Sequence, residues 1–256
     1  MTKKMRQGVL VISHGSRNGS WIQGVDQLLD ELELEIPLEA AFLDMVKDRT
    51  IGKGIERLEA QGVEEILVVP LFVSSGSTHL TEIQYALGLV SQPEVETELQ
   101  PLPIRARVIW AAPMDSHGKV REILRERIQE LSVQPEEEVV MLAAHGSDAP
   151  GFRERWQEML ERLAMELQRD LGLKQAIYGT IHPDTLRERA CMVADNQRLL
   201  VIPLFLSSGY YTEKIIPKKL DQIPYVYNRR AYLPDPKVAQ WLKETIVSHF
   251  REKVAT

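Results

Sequence analysis

The 256-residue sequence contains a single cysteine, Cys191. One thiol per chain excludes an intrachain disulfide, a CxxC zinc site and a cysteine-held cluster. Any metal chemistry must therefore rest on nitrogen and oxygen ligands. Positive charge is also scarce, with 31 Lys and Arg against 37 Asp and Glu and a net charge of −6. That balance argues against nucleic acid as the main partner, although a local Arg and Lys cluster can still hold an acidic small molecule. Long hydrophobic runs are missing too. Behind the basic start MTKKMRQG the apolar run covers only residues 9–12, too short for a signal-peptide core or a membrane span. These absences predict a cytoplasmic protein with no membrane partner.

What the chain does have is a repetition. GVLVISHGSR (residues 8–17) and EEILVVPLFVSSGSTHLTEI (64–83) return as VVMLAAHGSDAPGF (139–152) and QRLLVIPLFLSSGYYTEKIIP (197–217). The offset of about 130 residues marks a duplicated domain. Each copy has short β-branched runs separated by amphipathic stretches, apolar on both faces in the runs. That pattern predicts a parallel sheet covered by helices on both sides. The fold class expected is α/β: two tandem flavodoxin-like domains, each a four-stranded mainly parallel sheet flanked by helices, related by pseudo-two-fold symmetry. The second sheet takes its fourth strand from residues 225–232. The segment SVQPEEE (132–138), expected to bury nothing, forms the joint between domains 1–133 and 138–256.

Open α/β sheets place their ligand sites at the carboxyl ends of the strands. His14 follows the first strand of the first copy, and the loop carrying His79 follows the third, so both imidazoles are expected at one sheet edge. His14 alone would read equally well as part of a tight HGS turn, and the SSG loop alone as a glycine turn capping a helix. Their convergence favours a site: two imidazoles suit a borderline divalent metal such as Co²⁺, Fe²⁺, Ni²⁺ or Zn²⁺. Asp44 ends the second strand on the same edge, with Asp48 one turn later, and either also reads as a helix cap. Two His and one carboxylate with open positions describe a centre that binds metal and releases it. In the loop, Ser74, Ser75 and Gly76 are expected to offer exposed N–H groups to an acidic ligand, beside Glu82. Ser16 and Arg17 extend that substrate-binding set. In the second copy His145 persists, Tyr211 and Thr212 stand where His79 should be, with Thr212 in direct alignment, and Thr180 is expected near the Asp44 position. His182 remains a minor candidate.

The HGSR turn, the VVPLFVSSGSTH segment and the tandem organisation together resemble the sirohydrochlorin chelatases, the cobalto- and ferrochelatases of the class II chelatase family. The resemblance covers essentially the whole chain. It implies insertion of a divalent metal, Co²⁺ ahead of Fe²⁺, into sirohydrochlorin for cobalamin or siroheme biosynthesis. It implies no cofactor beyond that metal and no nucleotide. His14 and His79 match the family's metal-binding and proton-accepting histidines, and Asp44 or Asp48 its acidic residue. The chain departs from the family pattern at DMVKDRTI, which lacks the usual proline, and at Glu82-Ile83-Gln84. Catalysis is thus expected from His14, His79 and Asp44 in the first copy, in a monomer whose second copy completes the cleft.

Two rival functions use the same residues. A phosphohistidine enzyme would place Arg directly before the His-Gly pair, and Ser13 stands there instead. A non-catalytic tetrapyrrole or metal carrier would share every binding residue.

Overall fold

Val9, Leu10, Val11 and Ile12 are wholly buried, because their strand is the middle of a parallel sheet with helices on either face. The computed structural model describes residues 5–16, 19–193 and 197–251. The first repeat runs β1 (Gln7–Ser13), α1 (Gly19–Asp30), β2 (Leu38–Phe42), α2 (Ile51–Ala60), β3 (Glu65–Pro70), α3 (His79–Ala86), β4 (Arg107–Trp110) and α4 (Gly118–Gln129). Its strands form a parallel sheet in the order β2-β1-β3-β4. The chain winds one way from β1 to β2 and then crosses to the other side for β3, so the switch point lies between the ends of β1 and β3. Helix α2 shows how the helices hold on: Ile51, Ile55 and Leu58 share one buried face, and Thr50 caps its start by accepting from the Lys53 N–H. These residues join Leu10, Ile12, Ile66 and Val68 in one apolar core.

The second repeat runs β5 (Glu138–Gly146), α5 (Phe152–Leu171), β6 (Gln175–His182), α6 (Leu186–Cys191), β7 (Arg198–Leu204), α7 (Ile216–Lys219) and α8 (Pro236–Arg251). Its sheet is parallel in the order β6-β5-β7. The architecture is therefore α/β with two parallel sheets, as the sequence predicts. The second sheet has three strands among the described residues and not four. Residues 225–232 meet β7 through one isolated bridge, Leu200 to Val226, and a second bridge, Ser207 to Leu233, lies just past the ends of both segments. Between those points Arg229 takes a left-handed conformation, φ +60°, and the Asn228 side chain turns back to accept from the Arg230 N–H. A turn of this kind breaks the ladder that a strand needs.

The described residues separate into two compact units, one of Met1–Phe72, Thr78–Pro113 and Ala239–Thr256, the other of Val73–Ser77 and Met114–Val238. The repeat boundaries 1–133 and 138–256 follow the sequence; the units group α4 with the second repeat and most of α8 with the first. In the second unit α4 packs on β7 and α5. The joint also differs from the expectation that it buries nothing. Glu138, the first residue of β5, is buried and accepts from the Ser132 hydroxyl, the Val133 N–H at 2.9 Å and Arg198 at 2.5 Å. Burial alone would raise its pKa, but these donors outweigh it and hold the carboxyl below its ordinary value. No helix among the described residues is long and apolar enough to cross a membrane.

Candidate functional site

The ladder between β1 and β2 continues one step past the strands and fixes His14. Ser13 accepts from the Leu43 N–H and His14 from the Asp44 N–H, each at 2.9 Å. The chain then turns through Gly15, at φ +100°. A Cβ on Gly15 would stand 2.0 Å from the Asp44 carbonyl oxygen, so only glycine fits the turn. His14 and Asp44 are thus brought side by side at the sheet edge through their main chains.

The His14 ring is held through Nδ1, 3.1 Å from the Gly15 carbonyl oxygen. A carbonyl only accepts, so Nδ1 carries a proton, and in the neutral ring Nε2 then carries the lone pair. His79 reaches the same state by another route. It opens α3, and its Nδ1 lies 2.8 Å from Glu82 Oε2 one turn later. The other carboxylate oxygen of Glu82 accepts from the Thr97 hydroxyl at 2.9 Å. Leu80 and Ile83 anchor α3 in the core, and the Phe72 ring lies 6.5 Å from His79. The two imidazoles meet edge to face with centroids 4.7 Å apart. Two imidazoles bonded to one first-row ion at about 2.0–2.1 Å, with right to tetrahedral angles at the metal, place their centroids roughly 4.5–5.2 Å apart. The pair therefore fits a shared ion, with both Nδ1 atoms oriented by acceptors as in metal-ligating histidines.

The carboxylate expected to complete the set is not placed as a third ligand. Asp44 is exposed, and its Oδ1 accepts from the Met45 N–H at 2.6 Å. Among the described residues no group of three or more His, Cys, Asp and Glu is arranged to hold a metal. Asp48 lies farther out on the surface, pairing with Lys53 at 3.2 Å at the foot of α2. Ser16 is half-buried, and Arg17 lies outside the described residues.

The SSG loop does not present free amides. The Ser75 N–H donates to Asp115 Oδ1 at 2.7 Å, and the Gly76 N–H to Ser74 Oγ at 3.0 Å. Ser77 closes the turn on the Ser74 carbonyl at 3.1 Å. Burial raises the Asp115 pKa, and the Ser75 donors partly oppose that. A Cβ on Gly76 would stand 2.4 Å from the Trp156 ring and 2.7 Å from the Phe152 carbonyl oxygen, so the glycine is there for a close approach. Ser74 to Gly76 belong to the unit that holds the second repeat, whereas His79 belongs to the first. Glu82, expected among substrate-binding groups, instead orients His79. The signal for that role was present in the sequence as the three-residue spacing at a helix start.

The second repeat rebuilds the first turn on different side chains. His145 Nδ1 lies 3.1 Å from the Gly146 carbonyl oxygen. Gly146 has φ +74°, and a Cβ there would stand 2.0 Å from the carbonyl oxygen of His182. His182 is therefore the counterpart of Asp44. Thr180, expected there, pairs with Ala144 and corresponds to Phe42, which pairs with Ser13. Tyr211, not Thr212, puts its ring where that of His79 would be, 5.0 Å from His145 and edge to face. A π-helical turn over Tyr211–Ile215 shifts the register, and the Thr212 hydroxyl is drawn inward to Gly209 at 2.8 Å.

The CbiX family model matches residues 8–131 and again 139–249. A sirohydrochlorin cobaltochelatase of Methanothermobacter thermautotrophicus is 28% identical over 136 residues, covering 50% of this chain and 94% of that one. A sirohydrochlorin cobaltochelatase of Priestia megaterium is 23% identical over 230 residues, covering 86% of this chain and 69% of that one. Among solved structures, SirB from Bacillus subtilis with Fe³⁺ superposes with a TM-score of 0.72 at 21% identity, covering 94% of each chain. At that identity the likeness shows the fold.

Proposed function

The chain belongs to the CbiX family, and from that premise we propose that it is a sirohydrochlorin chelatase, inserting a divalent metal into the macrocycle. The observation that carries this reading is the His14–His79 pair, 4.7 Å apart, with both Nδ1 atoms committed to acceptors. Each ring then offers Nε2 as a neutral ligand. Two such ligands hold the metal substrate and leave its other positions open to pyrrole nitrogens. Insertion exchanges imidazole for pyrrole nitrogen step by step. M²⁺ enters as two pyrrolic protons leave, so the charge balances. Binding by only two protein ligands favours release into the macrocycle.

Asp44 supplies the acceptor for a departing proton, since its peptide is tied to His14 and its carboxylate is exposed at the sheet edge. Glu82 and Thr97 position His79 and do not touch substrate. Ser16 and Arg17 are the groups assigned to the acidic periphery of the tetrapyrrole, with Asp48 at its margin. Ser74, Ser75 and Gly76 set the shape of the loop before His79. No further cofactor and no nucleotide take part, and the protein works as a cytoplasmic monomer on Co²⁺ ahead of Fe²⁺. Both relatives above are named cobaltochelatases.

The test is the absorbance change of metal-free sirohydrochlorin mixed with pure protein and Co²⁺, Fe²⁺ or Ni²⁺ in turn, without nucleotide. Acceleration over the protein-free rate, greatest with Co²⁺, supports the reading. Tight binding of sirohydrochlorin with no acceleration by any metal identifies a carrier instead.

A further inference from the structure

The ends of β5 and β6 carry a second pair of imidazoles, from different elements than the first. His145 lies near the end of β5 and His182 ends β6; their ring centroids are 5.1 Å apart, inclined at 40°. Register brings them together, since Gly146 pairs with His182 across the sheet. His182 Nδ1 lies 3.2 Å from Asp148 Oδ2. A carboxylate accepts, so this nitrogen carries the proton and Nε2 the lone pair. Arg153 braces Asp148 from behind, donating to its main-chain oxygen at 3.1 Å and lying 3.9 Å from its carboxylate. His145 has its Nδ1 on the Gly146 carbonyl, which sets the same tautomer. Tyr211 walls the other side of His145 at 5.0 Å and is stacked on Phe205.

We infer that His145 and His182, oriented by Gly146 and Asp148, form a second site for a borderline divalent cation such as Co²⁺, Ni²⁺ or Zn²⁺. The separation of 5.1 Å lies within the span of about 4.5–5.2 Å for two imidazoles on one ion. A carboxylate behind a histidine ring is the arrangement that fixes ligating histidines. His182 comes from a strand end, whereas His79 opens a helix, and the two side chains are similarly exposed, 46% and 39%. A two-nitrogen site this open exchanges its ion readily, which suits holding a metal rather than burying it. The inference stands on the second repeat alone and does not depend on what the first repeat does.

Co²⁺ titration of the full chain, followed by equilibrium dialysis and visible absorbance, tests it. Two equivalents are expected for the unaltered protein and one each for His79→Ala and His182→Ala. His182→Gln serves as a second variant that keeps the size of the side chain, with circular dichroism confirming the fold of both. Asp148→Asn should keep the stoichiometry and weaken the second equivalent by about tenfold. A single equivalent that disappears in His79→Ala overturns the second site and leaves the first intact. A variant at His182 that still binds two equivalents overturns it as well. Loss of one equivalent in His182→Ala but none in His79→Ala supports the second site and removes the metal-binding premise of the first.

Discussion

Glu82 stands 2.8 Å from Nδ1 of His79 across one turn of α3, and Thr97 holds its far oxygen at 2.9 Å. This chain of two hydrogen bonds engages Nδ1 of His79 and leaves Nε2 as the nitrogen for the proposed metal. Its removal should weaken metal capture without altering the fold. Glu82→Ala is expected to raise the KM for Co²⁺ in the insertion assay by about 10–100-fold. Glu82→Gln should fall between it and the unaltered protein, because the amide oxygen still accepts from Nδ1. Equal KM values in all three would remove the positioning role.

Asp44 is expected to behave differently. Its carboxylate is not hydrogen-bonded to either imidazole, so Asp44→Asn should lower kcat by about 100-fold or more, within the range of about 10²–10⁴ typical of a lost proton acceptor. The KM for metal should stay near its original value. Asp48→Asn, remote at the foot of α2, should change kcat less than Asp44→Asn does. A steady-state comparison of the two variants separates the carboxylates that the sequence left as alternatives.

Gly15 carries the turn on which His14 rides. Alanine there meets the Asp44 carbonyl at 2.0 Å and must hold φ at +100°. The left-handed backbone alone costs about 1–2 kcal/mol, and relief of the clash shifts the His14–Asp44 edge. Gly15→Ala should therefore lower both Tm and insertion rate, whereas Gly19→Ala, where an added Cβ meets nothing, should leave both nearly unchanged.

Glu138 predicts the direction of acid sensitivity. Its folded pKa is depressed below the ordinary value of 4.5. Such a group contributes stability that is present above its unfolded pKa and is lost as pH falls through the folded one. Glu138→Gln should lose about 2 kcal/mol at pH 7, and its stability should be flatter than that of the unaltered protein below about pH 4.5. Urea melts at pH 7 and pH 3.5 measure both.

The sheets were legible in the sequence because their strands are buried on both faces, so residues 9–12 and 66–69 read as unbroken apolar runs. The pair His14 and His79 was legible for the same reason: each follows such a run, and parallel strands deliver both to one edge. The rest depended on details that periodicity does not carry. Residues 225–232 have strand-like composition, but Arg229 and the Asn228 turn break the ladder. The match of His182 to Asp44 was hidden by the unequal lengths of α1 and α5, 12 and 20 residues, which defeat counting from the histidine. Of the two residues that the sequence offered at the His79 place, Tyr211 takes it through a π-helical turn, a one-residue shift from the ungapped alignment with Thr212. Free amides around Gly76 were a fair expectation for a glycine loop; Asp115 and Ser74 consume them, and Asp115 lies 40 residues away in the chain.

On the function proposed above, His14 and His79 together hold the metal that enters the macrocycle. The most direct measurement is the rate of Co²⁺ insertion into sirohydrochlorin by His14→Ala, His79→Ala and the double variant, each verified as folded. Each single variant is expected to fall about 100-fold or more and the double variant to fall little further, since the two rings act as one unit. Single variants that keep the original rate, or losses that multiply in the double variant, would contradict that joint role.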